Sequence, residues 1–141
     1  MDQDSVSAFA TRQLGDEYDV LAPDGSEVRL LVRTAGCSMA HGTLPPGQVS
    51  RAIVHRTVDE VWYVTEGRGQ VWRQHGEHEE VTDVGPGSAL TIPVGSHFQF
   101  RTVGPDPLRF VMCTMPPWPG HGEAIRVADY WSMAEEDVAL D

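Results

Sequence analysis

Turn-forming residues recur along this chain at intervals too short for a helix to cross between parallel strands. The separators are Ala22-Pro23-Asp24-Gly25, Pro45-Pro46-Gly47, Gly67-Arg68-Gly69, His75-Gly76-Glu77, Gly85-Pro86-Gly87 and Gly104-Pro105-Asp106-Pro107. Each contains proline, glycine or aspartate, residues whose backbone preferences favour turns. Between them lie β-rich runs, read as strands over Glu27–Thr34, Met39–Leu44, Val49–His55, Glu60–Glu66, Gly69–Arg73, Ser88–Ile92, His97–Thr102 and Leu108–Thr114. Short strands with turns at roughly 8–12-residue spacing indicate an all-β sandwich or barrel. A doubly wound α/β fold is excluded.

Two of the punctuated stretches carry more than turns. Gly47 is followed by Ile53, His55, Glu60 and Gly67, in the pattern Gly-x5-Ile-x-His-x4-Glu-x6-Gly. Gly87 is followed by Pro93-Val94-Gly95-Ser96-His97-Phe98. Both resemble the two motifs of the cupin superfamily, Gly-x5-His-x-His-x4-Glu-x6-Gly and Gly-x5-Pro-x-Gly-x2-His-x3-Asn. The resemblance implies a double-stranded β-helix, the jelly-roll barrel, in which three His and one Glu hold a divalent metal. Here Ile53 stands where the first His belongs and Phe98 where the last belongs. The scaffold pattern is intact while the metal pattern is damaged.

Alternation along a strand puts Arg51, Ile53 and His55 on one face, and Glu60 and Trp62 on one face of the next run. If the hairpin pairs as the resemblance implies, His55 and Glu60 meet inside the barrel, close enough for each to shift the other's pKa. They are the candidate catalytic pair. They are also the core of a candidate site for Zn, Mn, Fe, Ni or Cu, expected to be weak or empty as isolated, because divalent transition metals generally take three or more protein ligands. Without metal, the same two groups form a buried polar pair, with His55 a general acid/base oriented by Glu60. His97 and His41 are the candidates to complete the ligand set. In Phe98-Gln99-Phe100-Arg101, burying the two rings favours Phe98 and Phe100 inward. A register shifted by one residue turns His97, Gln99 and Arg101 inward instead. The expected ligand pocket comprises Arg51, Ile53, Trp62, Phe98, Gln99, Phe100 and Met112, an apolar cavity with few polar groups; the competing reading is that these large residues fill a packed core. His75 and His78 read as solvated loop residues.

The division expected is an N-terminal arm over 1–20, a cupin barrel over 21–115 and a C-terminal extension over 116–141 that packs on the barrel. Ser132-x-x-Glu135 is a capping pattern that predicts a short helix over Ser132–Ala139. A net charge of −11, from 21 acidic and 10 basic residues, repels phosphate backbones and makes nucleic acid a poor partner. Met1–Ala10 contains Asp2 and Asp4 and lacks a basic, apolar signal segment, and no apolar run reaches membrane-spanning length. Cys37 and Cys113 are isolated and read as buried reduced thiols, so a cytoplasmic location is expected. The apolar residues of Tyr18–Val32 suit an edge strand covered by a second subunit, which predicts a homodimer. The partner expected in the barrel is a compact organic molecule.

Overall fold

The computed structural model describes residues 9–133, and they form eleven strands in two antiparallel sheets, with no helix among the described residues. The strands are β1 (Val20–Leu21), β2 (Glu27–Arg33), β3 (Ser38–Leu44), β4 (Ile53–His55), β5 (Asp59–Glu66), β6 (Arg68–His75), β7 (His78–Val84), β8 (Ala89–Ile92), β9 (His97–Val103), β10 (Leu108–Met115) and β11 (Ala124–Arg126). One sheet runs β1-β2-β3-β10-β5-β8 and the other β11-β4-β9-β6-β7. Neighbours in these sheets are largely remote in sequence, which is the jelly-roll arrangement. No described helix is long and apolar enough to cross a membrane.

Alternation builds the core. In β5, Glu60, Trp62 and Val64 are buried while Asp59, Val61 and Tyr63 face outward. Trp62 stacks on Phe110 at 4.2 Å between ring centroids and meets Phe100 edge-on at 5.0 Å. Such a cluster stabilises through apolar burial, at about 1.5–3 kcal/mol for each fully buried large side chain. Gly42 makes room for it: a Cβ there would stand 2.5 Å from the Phe110 ring. Gly67, at φ 79°, makes the turn from β5 into β6 in a backbone region that other residues avoid.

Three parts of the chain depart from expectation. The polar segment after Gly76 is a strand, β7, so His75 and His78 are paired partners flanking a tight hairpin turn rather than loop residues. Two short strands, β1 and β11, extend the sheets at their margins. The predicted helix over Ser132–Ala139 lies outside the described residues from position 134 on, and Ser132 and Met133 are not helical.

The chain after β10 crosses the outer face of the five-stranded sheet, pinned there by Gln99. This amide is fully buried: its Nε2 donates to the carbonyls of Ser50 (2.8 Å) and Trp131 (3.0 Å). Its Oε1 accepts from the N–H groups of Tyr130 and Trp131, both at 2.8 Å. Trp72 stacks on Tyr130 and the Arg101 guanidinium lies 4.6 Å over Trp131. On the other sheet, Arg29 donates to the carbonyls of Gly15 and Asp16 and so holds the N-terminal segment.

Candidate functional site

A cavity of about 480 Å³ opens between the two sheets at the end of the barrel away from the Trp62–Phe110 stack. His55, at the end of β4, and Glu60, near the start of β5, both line it and both are only 4% exposed. Ile53 and Met112 join them in the wall, together with aliphatic residues of β1 and β2. Trp118 covers the end: its backbone N–H donates to Ser38 Oγ at 2.9 Å, and its ring meets the His55 ring edge-on at 5.3 Å. The segment around Trp118 therefore spans from one sheet to the other above the two polar residues.

Glu60 is held by neighbours other than His55. Its Oε1 accepts from Trp62 Nε1 at 2.8 Å and its Oε2 from the Thr114 hydroxyl at 2.9 Å. Burial nevertheless pushes the carboxyl up to about 7, against the lowering effect of those two bonds, with the Asp24 charge adding to the rise. His55 is pushed down to about 4 by burial, partly offset by the Glu123 carboxylate. Its Nδ1 is buried with no hydrogen-bond partner, and Phe98 packs edge-on against the ring at 5.2 Å. The imidazole is thus neutral near pH 7, while the Glu60 carboxyl keeps its proton well above the usual carboxylate range. The carboxylate acting on His55 is Glu123's; a direct His55–Glu60 pair is not formed.

Glu123 is a residue the sequence reading passed over. Its burial raises its carboxyl, but bonds from the Thr57 hydroxyl (2.6 Å), the Thr57 N–H (2.7 Å) and the Val58 N–H (3.0 Å) hold it below the ordinary value. It clamps the returning chain onto the β4–β5 turn. Thr114, Ser38, Asp24 and Arg33 were also missed as lining residues. Parity with Met112 in β10 would have placed Thr114 inward, given the register.

Several candidates lie elsewhere. Ile53 pairs with Phe98 across β4 and β9, and both side chains face inward, whereas His97 pairs with Val54 and Gln74 on the outer face. His97 is therefore turned away from His55. His41 sits on the outer face of the six-stranded sheet, in register with Val111 and Arg29, because its neighbours Ala40 and Gly42 pair inward with Met112 and Phe110. Burial lowers its pKa, and the Arg109 and Arg29 charges lower it further. Gln99 and Arg101 face outward against the C-terminal segment. Trp62, Phe98 and Phe100 belong to the packed core, not to the cavity wall. Arg51 lies beside the Pro23 carbonyl, outside the cavity lining.

These placements do not fit a divalent metal. Among the described residues, no group of three or more His, Cys, Asp or Glu side chains is arranged to share an ion. The motif positions that would supply imidazoles hold Ile53 and Phe98, and both Glu60 oxygens already accept hydrogen bonds. Two ligands of this kind fall short of the usual three or more.

Three comparisons bear on the fold. The family model described as "Cupin domain" matches residues 40–114, just over half of the chain. An uncharacterised protein of Methanocaldococcus jannaschii is 29% identical over 111 residues, covering 72% of this chain and 86% of that protein. Among solved structures, a Bacillus halodurans protein superposes with a TM-score of 0.61 at 25% identity, over 70% of this chain and 76% of that one. The structure of KdgF from a Halomonas species gives 0.60 at 19% identity, over 71% and 87%.

Proposed function

This chain belongs to the cupin family, and we propose that within it the protein is a metal-independent binder of a compact organic molecule, held in the cavity at His55 and Glu60. The observation that carries this reading is the cavity itself. It is about 480 Å³, mostly apolar, and ends on two polar side chains buried deeply enough to be displaced from their ordinary protonation. Small-molecule sites have that composition and size. Where the family places metal-binding imidazoles, this chain places Ile53 and Phe98, so the polar work falls to His55 and Glu60 alone.

A ligand oxygen at the closed end would meet a neutral imidazole and a carboxyl that titrates at about 7. The pair can donate a hydrogen bond to a carbonyl or accept one from a hydroxyl. A catalytic reading follows from Glu60 in particular. A carboxyl at about 7 is suited to proton transfer near neutral pH. Glu60 would give or take a proton at the ligand while His55 holds the ligand oxygen, as in an isomerisation or an elimination. We infer further that two chains associate. Val20, Leu21 and Leu30 are 47%, 54% and 47% exposed beside the sheet edge at β1, an apolar margin that a second copy would cover. Cys37 and Cys113, half-buried thiols with no disulfide, suit a reducing cytoplasm.

The test of the binding reading is a fragment screen by thermal shift on untagged protein, with and without chelator. Stabilising fragments should be unaffected by chelator and weakened in Met112→Trp, whose larger side chain narrows the cavity between Glu60 and the opposite wall. Fragments that bind equally well to Met112→Trp would move the site out of the barrel. Fragments whose effect needs added metal would overturn the metal-free reading.

A further inference from the structure

The β3–β10 ladder brings two thiols remote in sequence together behind the cavity wall. Ser38 and Thr114 pair at the end of that ladder, and both line the cavity, as does Met112. Side chains alternate across a strand. Cys113, between Met112 and Thr114, therefore points to the outer face of the sheet, and Cys37, one position before Ser38, points the same way. One further step of the ladder would set Cys37 opposite Met115, which makes it the diagonal neighbour of Cys113. The two side chains hydrogen-bond, both are half-buried, and neither is in a disulfide. The Cys37 thiol also donates to the Ser38 carbonyl at 3.7 Å. Burial raises the Cys113 thiol above its ordinary value, and the adjoining Cys37 and the Glu60 charge raise it further.

We propose that Cys37 and Cys113 form a reversible thiol–disulfide site whose oxidant is a low-molecular-weight disulfide such as glutathione disulfide. The site lies on the opposite face of β3 and β10 from the cavity and is independent of what the cavity binds. Attack begins at Cys37, which closes the β2–β3 turn beside the exposed Thr34, Ala35 and Gly36. Cys113, on a strand paired on both sides, keeps its proton. The Cys37 thiolate attacks one sulfur of the oxidant, whose S–S bond breaks, and one glutathione thiolate leaves. Cys113 then gives up its proton and attacks the Cys37 sulfur, and the second glutathione leaves. Two electrons pass from the cysteine sulfurs to the oxidant, and the two protons go to the departing thiolates. A diagonal pair in a regular ladder stands ~7–8 Å apart at Cα, beyond the ~5.5–6 Å that a disulfide favours. The turn supplies the difference. Cys37 lies outside the ladder, its carbonyl accepting from the Thr34 N–H at 2.8 Å, and a Cβ on Gly36 would meet nothing within 4 Å. A bond that must hold this uncrowded turn displaced toward β10 is readily reduced, as labile disulfides are. Transient disulfides are also the kind that a reducing compartment supports.

The experiment is intact mass spectrometry of the full chain during incubation with glutathione disulfide, followed by addition of reduced glutathione. The native chain should lose the mass of two hydrogens and retain no glutathione, with peptide mapping placing the bond between Cys37 and Cys113. Reduced glutathione should restore the original mass. Cys113→Ser should hold one glutathione, because the mixed disulfide at Cys37 then has no thiol to resolve it. Cys37→Ser should react about tenfold more slowly than Cys113→Ser, since the thiolate and not the thiol is the nucleophile. A native chain that stays unmodified, or that keeps glutathione on either cysteine, would overturn the site without reference to any variant. Disulfide-linked pairs of chains on a non-reducing gel would overturn it as well, by showing that the thiols meet between molecules. A bond that reduced glutathione leaves intact would overturn its reversibility, and equal rates in the two variants would overturn the order of attack.

Discussion

Glu60 and His55 bend the pH dependence of stability in opposite directions, and one substitution should separate them. Burial raises Glu60 from 4.5 to about 7. Between those values the folded chain keeps a proton that the unfolded chain has released. Its contribution is therefore complete below pH 4.5 and is lost as pH rises through about 7. At ~1.4 kcal/mol per pH unit that loss is about 3 kcal/mol. His55 runs the other way. Its pKa falls from 6.5 to about 4, so the unfolded chain binds the extra proton in that window and stability rises with pH, again by about 3 kcal/mol. In the native protein the two ramps nearly cancel between about pH 4.5 and 6.5. Glu60→Gln removes only the falling ramp and retains a side-chain oxygen for Trp62 Nε1–H. Relative to the native protein, it should gain about 3 kcal/mol between pH 4.5 and 7. The assay is urea unfolding followed by tryptophan fluorescence at several pH values and fixed ionic strength, with the variant-minus-native difference as readout, so that the titrations common to both proteins cancel. A difference that stays flat across that window would refute the burial argument for Glu60.

Other substitutions probe separate parts of the account. Gln99→Ala leaves the N–H groups of Tyr130 and Trp131 and the Ser50 carbonyl without their partner, and should cost about 2–4 kcal/mol. Limited proteolysis should then cut within 116–133, where the native chain resists. Gly42→Ala forces a methyl group to within 2.5 Å of the Phe110 ring and should lower stability by about 1–3 kcal/mol in thermal unfolding. Ile53→His adds an imidazole on the strand face of His55 and should raise zinc affinity measurably above that of the native chain in competition with a chromogenic chelator. Unchanged affinity would mean that His55 and the new side chain cannot share an ion.

The scaffold was legible because its signals are local. Turn residues and period-2 burial in segments such as Glu60–Val64 survive in any window of the sequence, and the motif spacing brought His55 and Glu60 to one barrel end. β7 was illegible because it is nearly all exposed, so its charged residues lacked the inward hydrophobic set that marks a strand. The pocket was misdrawn for a different reason. Parity says that Trp62, Phe98 and Phe100 face inward, but not which end of the interior they fill; that depends on Phe110 and Gly42, which meet them only through cross-strand register. Gln99 was hardest to place. A buried amide on a sheet suggests a ligand contact, and its partners lie 31 and 32 residues onward in an irregular segment with no periodic signal. Ser38 and Thr114 join Glu60 only when β3, β10 and β5, distant in sequence, are aligned.

The central claim is that this barrel binds its ligand without a metal. The most direct measurement combines elemental analysis of protein purified without a histidine tag with calorimetric titration of the most stabilising fragment from the thermal-shift screen, before and after exhaustive chelation. The account predicts transition metal far below one equivalent per chain and the same binding constant in both titrations. Stoichiometric metal whose removal abolishes binding, and whose return restores it, would contradict the account.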